Sequence, residues 1–184
     1  MKEQLKLILC VFAWLMLVAY HVYGQNLVPD GDFENGMGSW YSWYVDEGAD
    51  WAEPPTADAE FSLVSPGLGG SSKALQVDIN KPGKEDWYIL VSQGVTMEQG
   101  SIYELSLRAT SELDRTITVG IHKDVSSGSP FLVQTVDIDS TDRVHGPFTI
   151  YFDPEPVNPG IKIQLGGLEG DVTLDDVVIE KTEP

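Results

Sequence analysis

The stretch Ser101–Thr110 reads SIYELSLRAT, and its apolar and polar residues alternate. Tyr103, Leu105, Leu107 and Ala109 occupy every second position, with mostly polar or charged residues between them. Because successive side chains of a β-strand point to opposite sides, this pattern predicts a strand with one buried and one exposed face. Such one-sided strands are typical of antiparallel sheets.

The same alternation recurs along the chain, in Ala74–Asn80, Thr116–Lys123, Phe148–Phe152, Ile161–Leu165 and, more briefly, Val177–Ile179. Turn-forming pairs separate these runs, and 11 prolines and 18 glycines leave no long stretch of helical periodicity. Strands spaced by about 10–15 residues favour an all-β sandwich or jelly roll built from two antiparallel sheets. In the less regular segment 40–59 we expect long loops around one strand.

The composition excludes several classes of protein. The chain carries 29 acidic against 11 basic residues, a net charge of −18, so it lacks the basic surface that binding to nucleic acid requires. A single cysteine, Cys10, excludes a disulfide scaffold. With 42% hydrophobic and 22% charged residues, the composition is typical of one globular domain.

The N-terminus has the parts of a secretory signal peptide. Lys2 and Lys6 precede an apolar run of 14 residues, Leu7–Tyr20, which is shorter than the ~20 residues that a membrane-spanning helix needs. Val22 and Gly24 stand at positions −3 and −1 of a cut after Gly24, where small residues are preferred. We therefore expect cleavage after residue 24 and no membrane span in the mature protein.

Residues 25–184 then form one domain without cysteine. A domain without free thiols suits an oxidising compartment, so the sequence predicts a secreted or extracellular protein, with the periplasm and the cell surface as alternatives. A chain of this length can bury a sizeable core without disulfides.

Acidic residues occur near both ends of this domain. Asp32 and Glu34 follow its start, and Asp175 and Asp176 lie near its end. Since the termini of a compact domain often lie close together, these side chains have the chance to converge. Carboxylate and carbonyl oxygens without nearby Cys or His suit Ca²⁺. The alternative is that they are ordinary solvent-exposed turn residues of a very acidic protein.

Aromatic residues mark a second candidate site. Trp87 and Tyr88 are adjacent at the start of a predicted strand, so one should point to the core and the other to solvent. Sugar rings stack their C–H faces on aromatic rings and bind neighbouring polar groups through their hydroxyls. The alternative is that Trp87 packs in the core with Ile89 and Val91.

A further aromatic group lies in the irregular segment, namely Trp40, Tyr41, Trp43, Tyr44 and Trp51. Exposed members of this group would extend an aromatic platform for a sugar. Loop tryptophans also often simply cover the end of a sandwich, and the sequence leaves both interpretations open.

Four blocks in fixed order carry a resemblance to a known family. They are NLVPDGDFENGMGSW (26–40), SSKALQV (71–77), GVTMEQGSIYELSLRA (94–109) and LDDVVI (174–179). Together they resemble the secreted carbohydrate-binding modules grouped as families 4, 9, 16 and 22, which are β-jelly rolls. The resemblance spans nearly the whole mature chain and places Trp40 in the core.

The resemblance implies a structural calcium ion. Its ligands would be the Asp32 carbonyl, the Glu34 carboxylate, the Lys73 carbonyl and the Asp175 carboxylate. Some relatives have another acid at the position of Gly70, so the site here would be weaker or partly hydrated. The ion would fix the termini and loops and would take no part in chemistry.

The resemblance also implies a sugar-binding cleft. Its stacking aromatic corresponds to Trp87, and the cleft uses the strand of His122, the following loop with Phe131, and the strand of Gln164. Polar residues on neighbouring strand faces add candidates for hydrogen bonding, on the expectation that all share one concave face. The predicted carbohydrate-binding set is Trp43, Trp87, Tyr88, Glu104, Arg108, His122, Phe131 and Gln164.

Catalytic motifs are missing from the sequence. It has no G-x-S-x-G elbow, no H-E-x-x-H and no phosphate-binding glycine loop. We therefore predict a monomeric, non-catalytic module that binds a β-glucan, xylan or mannan, because its acidic surface disfavours anionic glycans. Such modules are usually attached to glycoside hydrolases. Two alternatives remain: a small glycan-degrading hydrolase or lyase on the same fold, and a cell-surface adhesion domain with a protein ligand.

Overall fold

The structure is a computed structural model that describes residues 24–182. The apolar run of the predicted signal peptide and Cys10 lie outside these residues. No helix within the described range has the length and apolar character needed to cross a membrane.

Ten strands form two antiparallel sheets of five strands each. They are β1 (Tyr41–Tyr44), β2 (Ala57–Val64), β3 (Ala74–Pro82), β4 (Ile89–Gly94), β5 (Ser101–Ser111), β6 (Arg115–His122), β7 (Leu132–Ile138), β8 (Val144–Phe152), β9 (Gly160–Gln164) and β10 (Gly170–Lys181). The first sheet has the order β1-β4-β9-β6-β7, and the second has the order β2-β3-β10-β5-β8. This arrangement confirms the predicted all-β sandwich.

The core lies between the two sheets and follows the alternation of the sequence. Tyr103, Leu105 and Leu107 of β5 are almost fully buried, and their polar neighbours point outward. The final strand β10 is much longer than the predicted Val177–Ile179. A bulge between Asp175 and Val178 interrupts the alternation of its residues, so the sequence pattern revealed only the part after the bulge. Trp40 is buried against Phe33, with ring centroids 5.3 Å apart, as expected.

Both ends of the described chain meet at β10. The Leu27 N–H donates to the Ile179 carbonyl at 2.8 Å, and the Asn26 amide donates to the Val177 carbonyl at 2.9 Å. The Val177 N–H in turn donates to the Gly31 carbonyl at 2.8 Å. These bonds confirm that the acidic segments near the two ends are neighbours in space.

The connections at one end of the sandwich hold three of the predicted aromatic residues, Trp51, Trp87 and Tyr88. A short 3-10 helix, Asp86–Tyr88, connects β3 to β4, and the loop 45–56 connects β1 to β2 at the same end. Since β10 runs antiparallel to β3, it begins near this end and leads away from it. The functional candidates at residues 83–88 and the paired segments around Leu27 and Ile179 therefore lie at opposite ends of the sandwich.

Candidate functional site

The outward side of the first sheet, here called the open face, is built from residues that alternate with the core positions. Strand register places Trp43, Leu90, Gln164, Thr118 and Thr135 in one row across the five strands. The residues between them, such as Ile117, Val119 and Ile163, are buried in the core. Of the predicted set, the structure thus brings Trp43 and Gln164 onto one face.

Polar groups on the open face are paired with one another. The Asp86 carboxylate accepts a hydrogen bond from the Thr118 hydroxyl at 2.9 Å, and the Gln164 amide reaches it at 3.2 Å in the orientation that satisfies both groups. The Thr116 hydroxyl donates to Asp137 at 2.6 Å. Asp86 was not among the predicted residues, although its position directly before the exposed tryptophan was a usable signal.

The segment 123–131 covers the far part of the open face. His122 is fully buried beneath it, and burial, followed by the nearby Lys162 charge, lowers the pKa of His122 to about 4. The Lys162 ammonium donates to the Ser127 carbonyl at 2.8 Å. The prediction that His122 contacts a sugar directly is therefore wrong, because its side chain has no exposed surface.

Trp87 and Tyr88 have the opposite orientations expected of them, but in a different element. They lie in the 3-10 helix, and β4 begins only at Ile89. Trp87 is 37% exposed and Tyr88 only 2%. The Tyr88 hydroxyl donates to the Glu53 carbonyl at 2.9 Å. Tyr88 therefore takes the core position of the pair, with little of its surface exposed.

Three tryptophans form a parallel group, here called the tryptophan stack (Trp43, Trp51 and Trp87). The centroids of Trp43 and Trp51 lie 6.2 Å apart with planes inclined by 8°, and those of Trp51 and Trp87 lie 6.1 Å apart with planes inclined by 13°. Trp51 is 64% exposed. Of the two interpretations of the irregular segment, this exposure favours the aromatic platform. Strand patterning did not single out Trp51, because the residue lies in a loop.

A hollow of about 270 Å³ lies beside the stack. Trp51, Trp87, Tyr88 and Ala52 line it with apolar atoms, and Glu53, Lys84 and Glu85 add charged groups. Lys84 forms an ion pair with Glu53, which raises the pKa of Lys84 and lowers that of Glu53. The hollow thus combines aromatic surface with groups able to bind hydroxyls.

Gly166 holds the turn that carries Asp86 and Trp87. Its N–H donates to the Asp86 carbonyl at 2.8 Å. A Cβ atom at this position would stand 2.5 Å from the Glu85 carbonyl oxygen and 2.9 Å from the carbonyl oxygens of Asp86 and Pro82. The close approach of the backbone therefore requires a glycine.

Glu104 and Arg108 lie away from this site. Both belong to β5 in the second sheet, so the expected single concave face shared with His122 and Gln164 does not exist. The Arg108 guanidinium pairs with Asp142 at 2.9 Å and with Asp176 at 3.1 Å, which raises its pKa. Alternation identifies the face of a strand but does not tell to which sheet the strand belongs.

Phe131 lies at the end of the segment that covers His122. It is partly exposed, and its ring packs edge-on against the buried Phe152 with centroids 5.6 Å apart. Phe131 is therefore remote from the 83–88 turn, at the other end of the sandwich.

The predicted calcium ligands meet at the segment 67–73. The Glu34 carboxylate accepts from the Ser72 N–H at 2.6 Å and from the Lys73 N–H at 3.1 Å, and the Ser72 hydroxyl also donates to it. These bonds, led by that of the hydroxyl, lower the pKa of Glu34. Two of the four predicted ligands are thus adjacent in the structure.

Asp175 reaches the same segment from β10. Its carboxylate is fully buried and accepts from the Leu68 N–H at 2.9 Å and from the Ser71 hydroxyl, while burial raises its pKa. The Ser71 hydroxyl also lies 3.2 Å from the Lys73 carbonyl. The Asp175 carboxylate and the Lys73 carbonyl therefore converge on one hydroxyl.

The oxygen set fits calcium in its chemistry, because hard cations prefer carboxylate and carbonyl oxygens. Asp32 is exposed, and its carboxylate accepts from the Glu34 N–H at 3.3 Å. No group of three Asp, Glu, His or Cys side chains within residues 24–182 is placed to hold a metal ion. An ion here would therefore depend on the Asp32 and Lys73 carbonyls in addition to two carboxylates.

No protein-family model matches the chain, and no curated protein matches its sequence. Solved structures match its fold. A family 4 carbohydrate-binding module superposes with a TM-score of 0.63 at 21% identity, over 88% of this chain and 97% of that one. A family 61 module in complex with β-1,4-galactotriose gives a TM-score of 0.60 at 16% identity, over 86% of this chain and all (100%) of that one.

A larger structure also contains the fold. The N-terminal fragment of Clostridium thermocellum xylanase 10B, with a family 22 carbohydrate-binding module and a family 10 glycoside hydrolase module, is bound to xylohexaose. It matches with a TM-score of 0.57 at 14% identity, over 88% of this chain and 29% of that one. These likenesses confirm the predicted jelly-roll fold of carbohydrate-binding modules.

Proposed function

We propose that this protein is a non-catalytic carbohydrate-binding domain that holds a neutral glycan against the tryptophan stack. The observation that carries the proposal is the parallel arrangement of the exposed Trp51 and Trp87 with the half-buried Trp43, next to the polar groups of Asp86, Thr118 and Gln164. Sugar sites in proteins combine an apolar ring surface with a few fixed polar groups in this way.

The class of glycan follows from charge and from the structural neighbours. A net charge of −18 disfavours anionic polysaccharides. Two structures of the same fold hold β-1,4-galactotriose and xylohexaose. For this chain we propose a neutral β-glucan, xylan or mannan, encountered outside the cell after signal cleavage and in association with glycoside hydrolases.

The test is retention of the purified protein on a panel of insoluble or gel-embedded polysaccharides, with released sugars assayed in the same wells. We expect retention on a neutral glycan without product, weakened about tenfold or more in Trp87→Ala. Tyr151→Ala serves as the matched control, because Tyr151 is an exposed aromatic residue on the second sheet.

Three outcomes contradict the proposal. Failure to bind any glycan refutes it, and sugar release identifies the protein as a glycan-degrading enzyme. Saturable binding to a protein without competition by sugar assigns it to adhesion.

We also propose that Ca²⁺ stabilises the junction of Glu34, Asp175 and the segment 67–73. The support is the approach of the Glu34 and Asp175 carboxylates and the Lys73 carbonyl to one short segment, together with the full burial of Asp175, whose charge a cation would offset. The Asp32 and Lys73 carbonyls would complete the ligand set. The role would be structural, because the ion would tie the segment 67–73 to the paired segments around Gly31 and Val177.

Thermal unfolding of chelator-treated protein with and without added Ca²⁺ tests this second proposal. Saturating calcium should raise the Tm by roughly 5–10 °C, from the binding free energy at about 100 times Kd. Asp175→Asn should abolish the increase, whereas Glu60→Gln, a change of an exposed acid on β2, should preserve it. A Tm that does not respond to calcium refutes the proposal.

A further inference from the structure

The open face has few free hydrogen-bonding groups. Thr118 and Gln164 are committed to Asp86, and the Thr116 hydroxyl is committed to Asp137. A sugar that lay along this face would have to compete for groups that already have partners. Each exchange of one hydrogen bond for another gives little net free energy.

The open face is also shortened by the segment 123–131. His122 and Gly120 are buried beneath it, and a Cβ at Gly120 would lie 3.6 Å from Pro130 Cβ. The Lys162 ammonium is engaged with the Ser127 carbonyl at 2.8 Å. About half of the outward surface of β6 is therefore unavailable to a ligand.

The hollow beside the stack differs from the open face in two ways: it carries exposed aromatic surface, and the segment 123–131 does not cover it. Trp51 is 64% exposed against 37% for Trp87, so Trp51 offers the larger free aromatic surface. Glu85 lines the hollow, and Lys84 and Glu53 form a charged pair beside it. Its volume of about 270 Å³ is just below the range of ≈ 300–1,000 Å³ typical of sites for drug-sized ligands. That space suits one sugar ring.

We propose that this hollow is a single-ring subsite for the terminal pyranose of a neutral glycan, with Trp51 as its main stacking surface. The inference rests on the proposed function and specifies where and how the glycan is held. The C–H face of the ring packs on Trp51, and its hydroxyls bind Glu85 and the Glu53–Lys84 pair. Trp43 and Trp87 both lie parallel to the Trp51 ring and position it, and its 64% exposure leaves aromatic surface for the sugar.

The segment that carries Trp51 is fixed before any ligand binds. The Ala57 N–H donates to the Val45 carbonyl at 2.7 Å and closes the loop at its base. The Tyr88 hydroxyl ties the Glu53 carbonyl to the body of the domain at 2.9 Å. A site that is already ordered loses little conformational entropy on binding, so even a small contact area can give measurable affinity.

The experiment measures affinity against chain length. The probes are β-1,4-linked xylose, mannose and glucose oligomers of one to six rings, titrated into the protein by calorimetry alongside the parent polysaccharides. A single-ring subsite predicts that affinity for the oligomer that binds reaches its plateau by two or three rings. The free monosaccharide should compete with the polymer.

Variants locate the ring. Trp51→Ala should weaken binding about tenfold or more, as expected for loss of a central aromatic anchor, and Trp51→Tyr should restore part of it. Tyr41→Ala is the matched control, because Tyr41 is equally exposed on β1 at the edge of the open face, and we expect a change of less than about twofold. Because Trp51 is mostly exposed, its replacement should leave folding intact.

Several results would overturn the inference without removing the proposed function. These are an affinity that rises steadily to six rings, a loss of binding in Thr118→Ala but not in Trp51→Ala, or tighter binding in Trp51→Ala. Tighter binding in Trp51→Ala would mean that Trp51 blocks access to Trp87 and that Trp87 is the stacking surface. Failure of every oligomer and polysaccharide to bind would instead refute the proposed function itself.

Discussion

Replacing Gly166 by alanine tests whether the turn that carries Asp86 and Trp87 is held by close backbone packing. The added methyl would meet the Glu85 carbonyl oxygen at 2.5 Å and the oxygens of Asp86 and Pro82 at 2.9 Å, all well inside the 3.4 Å at which ordinary contact begins. All three atoms belong to the backbone, so no side chain can rotate to relieve the overlap. Either the turn moves or the strand end does.

The expected cost is that of overpacking a buried site. Gly→Ala changes that force backbone shifts in packed regions cost about 1–3 kcal/mol, and the 2.8 Å hydrogen bond from Gly166 to Asp86 is placed at risk as well. We therefore expect a loss of about 2–3 kcal/mol in the free energy of unfolding. Since the turn orients Trp87, glycan binding should weaken in the same variant.

Urea unfolding followed by tryptophan fluorescence measures the cost, and Gly94→Ala provides the control. Gly94 ends the neighbouring strand β4, and a Cβ there would meet nothing within 4 Å. We expect the control to change stability by less than about 0.5 kcal/mol or to increase it slightly through the unfolded state. If Gly166→Ala is as stable as Gly94→Ala, the turn 82–86 does not pack closely on Gly166. The proposal that Gly166 positions Asp86 and Trp87 would then be wrong.

Three smaller predictions follow from hydrogen bonds and charges. Tyr88→Phe removes the bond to the Glu53 carbonyl and should cost about 1 kcal/mol in urea unfolding; a variant of wild-type stability would show that this bond is not needed. Burial lowers the pKa of His122 from 6.5 to about 4, so the stability that depends on the neutral ring is present above pH 6.5 and is lost towards pH 4. His122→Gln should flatten this part of the stability profile, and an unchanged slope would contradict the assignment. Burial, followed by the charge of Asp78, raises the pKa of Asp171, so its ionisation costs stability as the pH rises. Asp78→Asn should reduce that loss, and equal losses in both proteins would exclude the repulsion.

Much of the fold could be predicted from residue alternation. The runs around Tyr103 and Ile117 alternate because one face of each strand is covered by the other sheet and one face is open. The strands β2 and β7 escaped this reasoning. The core side of β2 begins with the small residues Ala57 and Ala59, and β7 carries an apolar residue, Val133, on its exposed side.

The site was only partly predictable, for two physical reasons. Local sequence tells which residues share a strand face, but the partner sheet is decided by long-range pairing, so Arg108 could not be separated from Gln164. The exposure of a loop residue depends on how its loop folds back onto the domain, and local sequence does not show this. One loop places Trp51 against Trp87, and another places Pro130 near His122. Alternation predicted that one of Trp87 and Tyr88 is exposed, but only the family resemblance pointed to Trp87, and the structure places Tyr88 in the core.

The two ends of the described range, residues 24–182, meet at β10, and this meeting determines how the domain can be anchored. The Leu27–Ile179 pairing places the two ends side by side, roughly 30 Å from the start of β10 if strand residues advance by about 3.3 Å. A surface, a bead or a fused enzyme attached at either end would therefore be connected to the end of the sandwich opposite the 83–88 turn. The hollow beside the tryptophan stack would then face away from the attachment point. A single short linker would leave it accessible to a glycan.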